Sequence, residues 1–244
     1  MPSTTTDQLA LTREVCRPNL VKSLMLSNRL THSFGFRVAF STEMPLVAKR
    51  AGYSAVLMNL EHMSMSMGTM KDIAVSITPT VVVPTSAPDG ISRCLDSGAQ
   101  AVIVPHNNNV EQAKMCVNAS IFQPLGHRSV TMVTAMTQYT TQLSYATIAE
   151  VVNNEVLIMP MIETKEGVEN VLERVIAAVP DIDVLFIGCA DLCMEIGIPG
   201  QYDSELFHST VAKIAAAAEK ASLDGRKILP DLLEELARRH APIR

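Results

Sequence analysis

Short apolar runs alternate with segments of helical periodicity along most of the chain. The clearest unit begins with Val156–Glu163, an apolar run that ends in a carboxylate, and continues into Thr164–Ala178, where apolar residues recur at helical spacing. A second apolar run, Ile182–Gly188, follows and is closed by Asp191. A strand, a helix and a strand in this order predict two neighbouring parallel strands joined by a right-handed crossover.

The same alternation extends over the rest of the chain. It predicts four earlier strands, Phe34–Phe40, Ser54–Asn59, Thr78–Pro84 and Gln100–Pro105. It also predicts helices over Asn19–Ser27, Met44–Ala51, Pro88–Ser97, Asn109–Ala119, Ser209–Ala221 and Leu229–Arg239. The strands are too apolar to face water on either side, which is typical of a parallel sheet covered by helices. We therefore expect an α/β fold of the TIM-type (β/α) barrel.

The strand count bears on how complete that barrel is. About six strands are recognisable, whereas a closed barrel of this type has eight. The residues after Ala221 are too few for two more strand–helix units, so we expect a barrel that is incomplete or modified at its C-terminal end. Residues 1–18 are polar and are predicted to be a mobile leader, residues 19–244 form one barrel domain, and Phe122–Tyr145 has no clear period and is expected to be a rim loop.

Composition narrows the classes of partner and compartment. The 244 residues are 48% hydrophobic, enough for one large core, and no apolar run is long enough for a membrane span. The net charge of −5, the absence of a Lys/Arg cluster and the 4% aromatic content argue against a nucleic-acid surface. Five irregularly spaced cysteines and no apolar signal segment indicate reduced thiols in the cytoplasm.

Two carboxylates stand where consecutive predicted strands end. Since parallel strands end at the same rim, Glu163 and Asp191 are expected to meet there, and two hard oxygen ligands suit Mg²⁺ or Mn²⁺. A purely structural interpretation stays open, because a Glu is favoured at a helix start and an Asp is a good turn residue. No nucleotide-binding glycine loop, zinc-protease motif or serine-hydrolase motif occurs.

Three basic side chains complete the candidate chemistry. His62 follows the second strand and would join the same rim as a general base, or else bond to a loop carbonyl. Arg37, inside the first predicted strand, needs an anionic partner, for which Glu61 and a substrate carboxylate are the candidates. Arg128, in the segment PLGHRS, is either an anion donor or a solvated residue beside a glycine turn.

Taken in order, several of these segments resemble a known enzyme family. The segments are FGFRVAF at 34–40, LEH at 60–62, LDSGAQAVIVP at 95–105, PLGHRS at 124–129, MIETKEGVEN at 161–170 and LFIGCADLCMEIG at 185–197. This order is similar to that of the class II 2-oxo acid aldolases of the 2,4-dihydroxyhept-2-enedioate and macrophomate synthase type, which are members of the phosphoenolpyruvate/pyruvate barrel superfamily. The likeness covers roughly residues 19–222.

The resemblance implies a function and a set of site residues. It implies a metal-dependent lyase that makes or breaks a C–C bond through the enolate of a small oxo acid, with Glu163 and Asp191 holding Mg²⁺, or alternatively Mn²⁺ or Co²⁺. His62 would move the proton, with Asn59 and Arg128 as further catalytic positions. Ala190, Asp191, Met161 and Val83 would lie against the substrate. The open edges of a six-stranded sheet favour a homo-oligomer.

Two positions depart from the family pattern. Asn59 stands where the family has an aspartate three residues before the histidine, and Val83 stands where it has the arginine of Val-Arg-Pro. We therefore expect an altered substrate. Two alternatives remain: a non-catalytic relative that serves as a scaffold or accessory subunit, and an enzyme whose site is completed by another subunit.

Overall fold

Six parallel strands form the centre of the protein. The computed structural model describes residues 5–37, 40–74, 77–172 and 176–222. Its strands are β1 (Ser33–Gly35), β2 (Ala55–Asn59), β3 (Thr78–Val82), β4 (Ala101–Val104), β5 (Leu157–Ile162) and β6 (Phe186–Ile187). They pair in chain order from β1 to β6, every pair parallel. The described part of the chain is thus a curled half-barrel, as the alternation of strand and helix predicted.

Helices connect and cover these strands. They are α1 (Thr5–Val15), α2 (Leu20–Leu26), α3 (Glu43–Arg50), α4 (Met67–Ile73), α5 (Pro88–Asp96), α6 (Val110–Ser120), α7 (Tyr145–Glu155), α8 (Lys165–Leu172), α9 (Cys189–Glu195) and α10 (Glu205–Ser222). No helix in the described ranges is long and apolar enough to cross a membrane. The predicted helix Leu229–Arg239 lies outside the described residues.

The two faces of the sheet have separate cores because side chains alternate along a strand. On the concave face, Ala55, Val82, Ile103 and Met159 belong to a small apolar cluster. On the other face, a much larger cluster joins the sheet to the surrounding helices. This alternation decides which residues at each strand end face the barrel interior.

Helix α2 closes the N-terminal end of the barrel. Asn19 caps the helix and donates its side-chain amide to the carbonyls of Gln100 and Glu155, which precede β4 and β5. Lys22 donates to the carbonyl of Val156 and forms an ion pair with Asp183 at 3.3 Å. Val21 packs into the interior cluster. Because α2 closes this end of the barrel, the C-terminal rim is the open end. Catalytic residues of TIM-type barrels lie at that rim.

Within residues 1–18, which the sequence predicts to be a mobile leader, the structure describes a helix that contacts α7. Residues Thr5–Val15 form α1, and Thr12 is fully buried with its hydroxyl 2.8 Å from that of Thr147 on α7. Gln8 accepts the backbone N–H of Ser144 at the start of α7. The polar residues that suggested a solvated segment serve as hydrogen-bond partners of a neighbouring helix.

The first strand is also shorter than the apolar pattern predicted. It ends at Gly35, and Arg37 is exposed beyond it rather than inside a strand. The segment FGFRVAF has the composition of a strand, but β1 is an edge that pairs only with β2 in the described sheet. Glu61, the candidate partner of Arg37, instead faces two histidines.

Thiol reactivity provides a first test of the packing. Burial raises the pKa of Cys94 and of Cys116 to about 12 and that of Cys16 to about 11, and Cys193 is also buried, whereas Cys189 is exposed. We expect Ellman's reagent at pH 8 to label one thiol rapidly in the folded protein and all five after denaturation. The fast phase should vanish in Cys189→Ser, and rapid labelling of any thiol in that variant would contradict this packing.

The same shifts set the sign of a pH effect on stability. Above the ordinary pKa of a thiol, the unfolded chain loses protons that the folded protein keeps on its buried cysteines. The free energy of unfolding should therefore fall as the pH rises from about 9 towards 12.

Candidate active site

Polar side chains gather on the concave face at the C-terminal rim. The alternation that places Ala55 and Leu57 in the interior cluster continues through Asn59 to Glu61, just after β2. In β5 the same alternation leads from Met161 in the interior cluster to Glu163. Both glutamates therefore belong to the inner face, although the strands that carry them are three positions apart in the sheet.

Glu163 is the most deeply placed of these carboxylates, with 2% exposure. Its Oε1 accepts the backbone N–H of His106 at 2.7 Å and lies 3.2 Å from Nδ1 of the same histidine. Burial raises the pKa of Glu163, the interactions with His106 oppose that rise, and the charges of Asp191 and Glu61 add to it. Three carboxylates thus share one site and repel one another.

The other oxygen of Glu163 faces β6. A Cβ built on Gly188 would overlap with Oε2, so only glycine lets the carboxylate lie against this strand end. Asp191 follows in the first turn of α9, is exposed, and is near enough for its charge to act on Glu163. The charge of Asp191 therefore acts on the buried Glu163, the other carboxylate that the sequence singled out.

The imidazole of His62 lies next to the carboxylate of Glu61, whereas Asn59 contacts the backbone of His62. Its Nε2 lies 3.6 Å from Oε2 of Glu61, and its side chain is 56% exposed. Asn59 accepts the backbone N–H of His62 through its side-chain oxygen at 3.0 Å, which fixes the turn after β2. Asn59 is therefore a turn-forming residue, and Glu61 is the charged group next to the imidazole.

Arg128 is not part of this group. Its side chain is fully buried, forms an ion pair with Asp96 at 2.6 Å and stacks on Phe122 with the guanidinium carbon 4.5 Å from the ring centroid. Asp96 ends α5, just before β4 begins, so the pair lies near the N-terminal ends of the strands. Burial lowers the pKa of Arg128, and Asp96 opposes this. The structure thus places Arg128 at the end of the barrel opposite Glu163, with its charge already occupied.

Val83 and Met161 lie on different faces of the sheet. Val83 is fully buried and belongs to the cluster between the sheet and the helices, because Val82 takes the interior position. Its side chain therefore faces away from the barrel interior. Met161 is nearly buried in the interior cluster, two residues before Glu163, and Ala190 is exposed beside Asp191 at the start of α9.

His106 and Glu61 are site residues that the sequence reasoning did not assign. Glu61 contacts both imidazoles. Its Oε1 lies 3.3 Å from Nε2 of His106, and its Oε2 lies 3.6 Å from Nε2 of His62. A signal was available: His106 follows the Pro105 that ends the fourth strand run, and Glu61 follows the second. Residues directly after parallel strands meet at one rim, so both belonged with Glu163.

The donor set is suited to a hard divalent cation. Burial and the charge of Asp191 both disfavour the ionised form of Glu163, and a divalent cation held by the two carboxylates would offset both effects. No group of three or more His, Cys, Asp or Glu side chains arranged for a metal occurs among the residues described. Two protein carboxylates nevertheless suffice for Mg²⁺, which keeps waters and takes further ligands from its substrate.

Known proteins share this arrangement of strands and sequence. A family model described as HpcH/HpaI aldolase/citrate lyase matches residues 36–233. The 4-hydroxy-4-methyl-2-oxoglutarate aldolase of Chaetomium globosum is 31% identical over 207 residues, which are 82% of this chain and 76% of that protein. The chain therefore belongs to the HpcH/HpaI aldolase/citrate lyase family, which confirms the likeness to oxo-acid aldolases noted in the sequence.

Two solved structures show the same fold. The HpcH/HpaI aldolase from Desulfitobacterium hafniense superimposes with a TM-score of 0.77 at 20% identity, covering 84% of this chain and 79% of that one. Macrophomate synthase superimposes with a TM-score of 0.70 at 24% identity, covering 88% and 79%. The half-barrel of the described residues is thus the TIM-type architecture of this family.

Proposed function

We propose that this protein is a metal-dependent aldolase that cleaves or forms a C–C bond next to the keto group of a small 2-oxo acid. The observation that carries the proposal is the buried Glu163, held on the inner rim with the charge of Asp191 beside it and the His62–Glu61 pair across the barrel. Relatives named as aldolases of 4-hydroxy-4-methyl-2-oxoglutarate and of pyruvate support the same chemistry.

Each residue has a distinct task in this proposal. Glu163 and Asp191 hold the divalent cation, with Mg²⁺ preferred and Mn²⁺ or Co²⁺ as substitutes. When bound, such a cation acts as a Lewis acid that favours the enolate form of an oxo acid. The free backbone N–H groups of the first turn of α9, around Ala190 and Asp191, are placed to receive the substrate carboxylate.

His62 is the proton carrier of the proposed reaction. Its exposed imidazole accepts and returns the proton of the hydroxyl or carbon that reacts, and Glu61 stabilises the charge that develops on the ring. Asn59 supports this indirectly by holding the turn that carries His62. Glu61 therefore supplies the negative charge that an aspartate at position 59 would have given.

The substrate pocket is proposed to be more apolar than that of an enzyme with an arginine at its centre. Met161 and Met159 belong to the interior cluster below Glu163, and Arg128 is engaged elsewhere. We therefore propose a substrate with less negative charge, or with a bulkier apolar group, than a simple dicarboxylate.

A cytoplasmic homo-oligomer is proposed on the sequence arguments and on the unpaired outer edges of β1 and β6 in the described sheet.

The test is to follow both halves of the reaction with the purified protein. In D₂O with Mg²⁺ or Mn²⁺, pyruvate should exchange its methyl protons, visible by proton NMR, faster than with metal alone. Pyruvate release from 4-hydroxy-4-methyl-2-oxoglutarate, coupled to lactate dehydrogenase, reports cleavage. Exchange no faster than the metal blank would refute the aldolase and favour the scaffold alternative, whereas exchange without cleavage of this dicarboxylate would support the less charged substrate.

A further inference from the structure

We propose that His106 is a positioning residue that sets the orientation of the Glu163 carboxylate for the divalent cation. The inference rests on the proposed function and adds a residue and a role to it. His106 contacts Oε1 of Glu163 twice, through its backbone N–H at 2.7 Å and through its ring Nδ1 at 3.2 Å.

These contacts divide the two oxygens of Glu163 between its neighbouring strands. Oε1 faces the end of β4, where His106 lies, and Oε2 lies against Gly188 at the end of β6. Asp191 follows Gly188 by three residues. With Oε1 held by His106, the plane of the carboxylate is fixed and Oε2 is the oxygen directed towards the side from which Asp191 comes.

Glu61 holds the other end of the imidazole. Its Oε1 lies 3.3 Å from Nε2 of His106. The ring therefore connects Glu163, just after β5, with Glu61, just after β2. Strands β2 and β4 are two positions apart, about 10 Å in a flat sheet, so the bridge depends on the curl of the barrel. The His106 side chain is 57% exposed, which means that core packing does not impose its placement.

The backbone conformation of His106 directs its N–H towards Glu163. Its φ of +55° lies in the left-handed region, which non-glycine residues seldom adopt and where asparagine, aspartate and histidine are the more tolerant ones. This conformation turns the N–H of residue 106 towards Glu163 directly after β4 ends. Glycine adopts this conformation with less strain than histidine does.

Because glycine tolerates this backbone conformation, a substitution can separate the ring contact from the backbone hydrogen bond. His106→Gly should keep the backbone hydrogen bond to Glu163 and remove only the ring. Isothermal titration with MnCl₂ alone should show a dissociation constant about tenfold higher than in the wild type, the scale typical of losing a group that orients a metal ligand. The melting temperature should stay equal or rise. His106→Asn, which tolerates the same backbone and offers an amide N–H, should recover part of the affinity.

Two controls separate the possible failures. Asn28→Gly relieves the same φ of +55° at an exposed residue after α2, and should leave Mn²⁺ binding unchanged. Glu163→Gln should abolish binding if the proposed cation site is right. Equal Mn²⁺ affinity in wild type and His106→Gly, or tighter binding in the variant, would overturn the role of His106 alone. A wild type that binds no Mn²⁺ would overturn both proposals.

Discussion

Glu163→Gln is expected to abolish Mn²⁺ binding and to slow metal-dependent proton exchange of pyruvate by about 10³-fold, or ~4 kcal/mol of transition-state stabilisation. Glutamine has the same shape and still offers Oε1 to the backbone N–H of His106, so the local structure should persist. What it lacks is the negative charge that a cation needs on this rim. The rate of exchange by NMR and the heat of MnCl₂ binding measure the two effects.

A nearby glutamate provides the matched control. Glu166→Gln, at an exposed position three residues further along in α8, removes the same charge without touching the site and should leave both readouts unchanged. A Glu163→Gln protein with exchange within a few-fold of the wild type would contradict the assignment of this residue as a cation ligand.

Without metal, Glu163→Gln should increase the stability of the folded protein, although the same change removes metal binding and activity. Burial is the main reason why the pKa of Glu163 is raised in the folded state, so an ionised Glu163 disfavours folding. The free energy of unfolding therefore falls as the pH rises from the ordinary glutamate pKa to the raised value, and it stays lowered above that. Glu163→Gln removes this cost and should be the more stable protein at pH 7, which urea unfolding without metal would show.

Asp96→Ala should cause the largest loss of stability, about 3 kcal/mol in urea unfolding, because it leaves the fully buried charge of Arg128 without its partner. Arg128 stacks on Phe122 and has further contacts at 3.5 Å with the Ser120 carbonyl and the Met136 sulfur. None of these groups can neutralise a guanidinium. The burial that lowers the pKa of Arg128 is the physical source of this cost.

The double variant distinguishes a lost charge pair from lost packing. Asp96→Ala combined with Arg128→Met removes both charges and keeps an unbranched side chain against Phe122, so it should regain most of the stability. Asp72→Ala breaks the exposed pair with Lys71, measured at 3.7 Å, and should cost less than about 1 kcal/mol. A double variant as unstable as Asp96→Ala alone would show that Arg128 matters through its shape and not its charge.

The sequence by itself determined the architecture and one half of the candidate site. Apolar runs of strand length fixed the parallel strands, because a strand covered on both faces has no polar positions. The run ending in Glu163, and the following run ending before Asp191, predicted that two carboxylates of neighbouring strands meet at one rim. Helix α2 was also predictable, since Asn19 precedes apolar residues that share one face of a helix.

Only the tertiary structure decided which polar residues join those carboxylates. His106 and Glu61 follow β4 and β2, which are not neighbours, and their side chains meet only because the sheet curls. Arg128 lies in an irregular segment whose course no periodicity predicts, and it pairs with a helix end at the opposite rim. Val83 faces outward because side chains alternate along β3, with Val82 taking the interior place. Local pattern sets the strands and their ends, whereas contacts between distant segments depend on the curvature and register of the whole sheet.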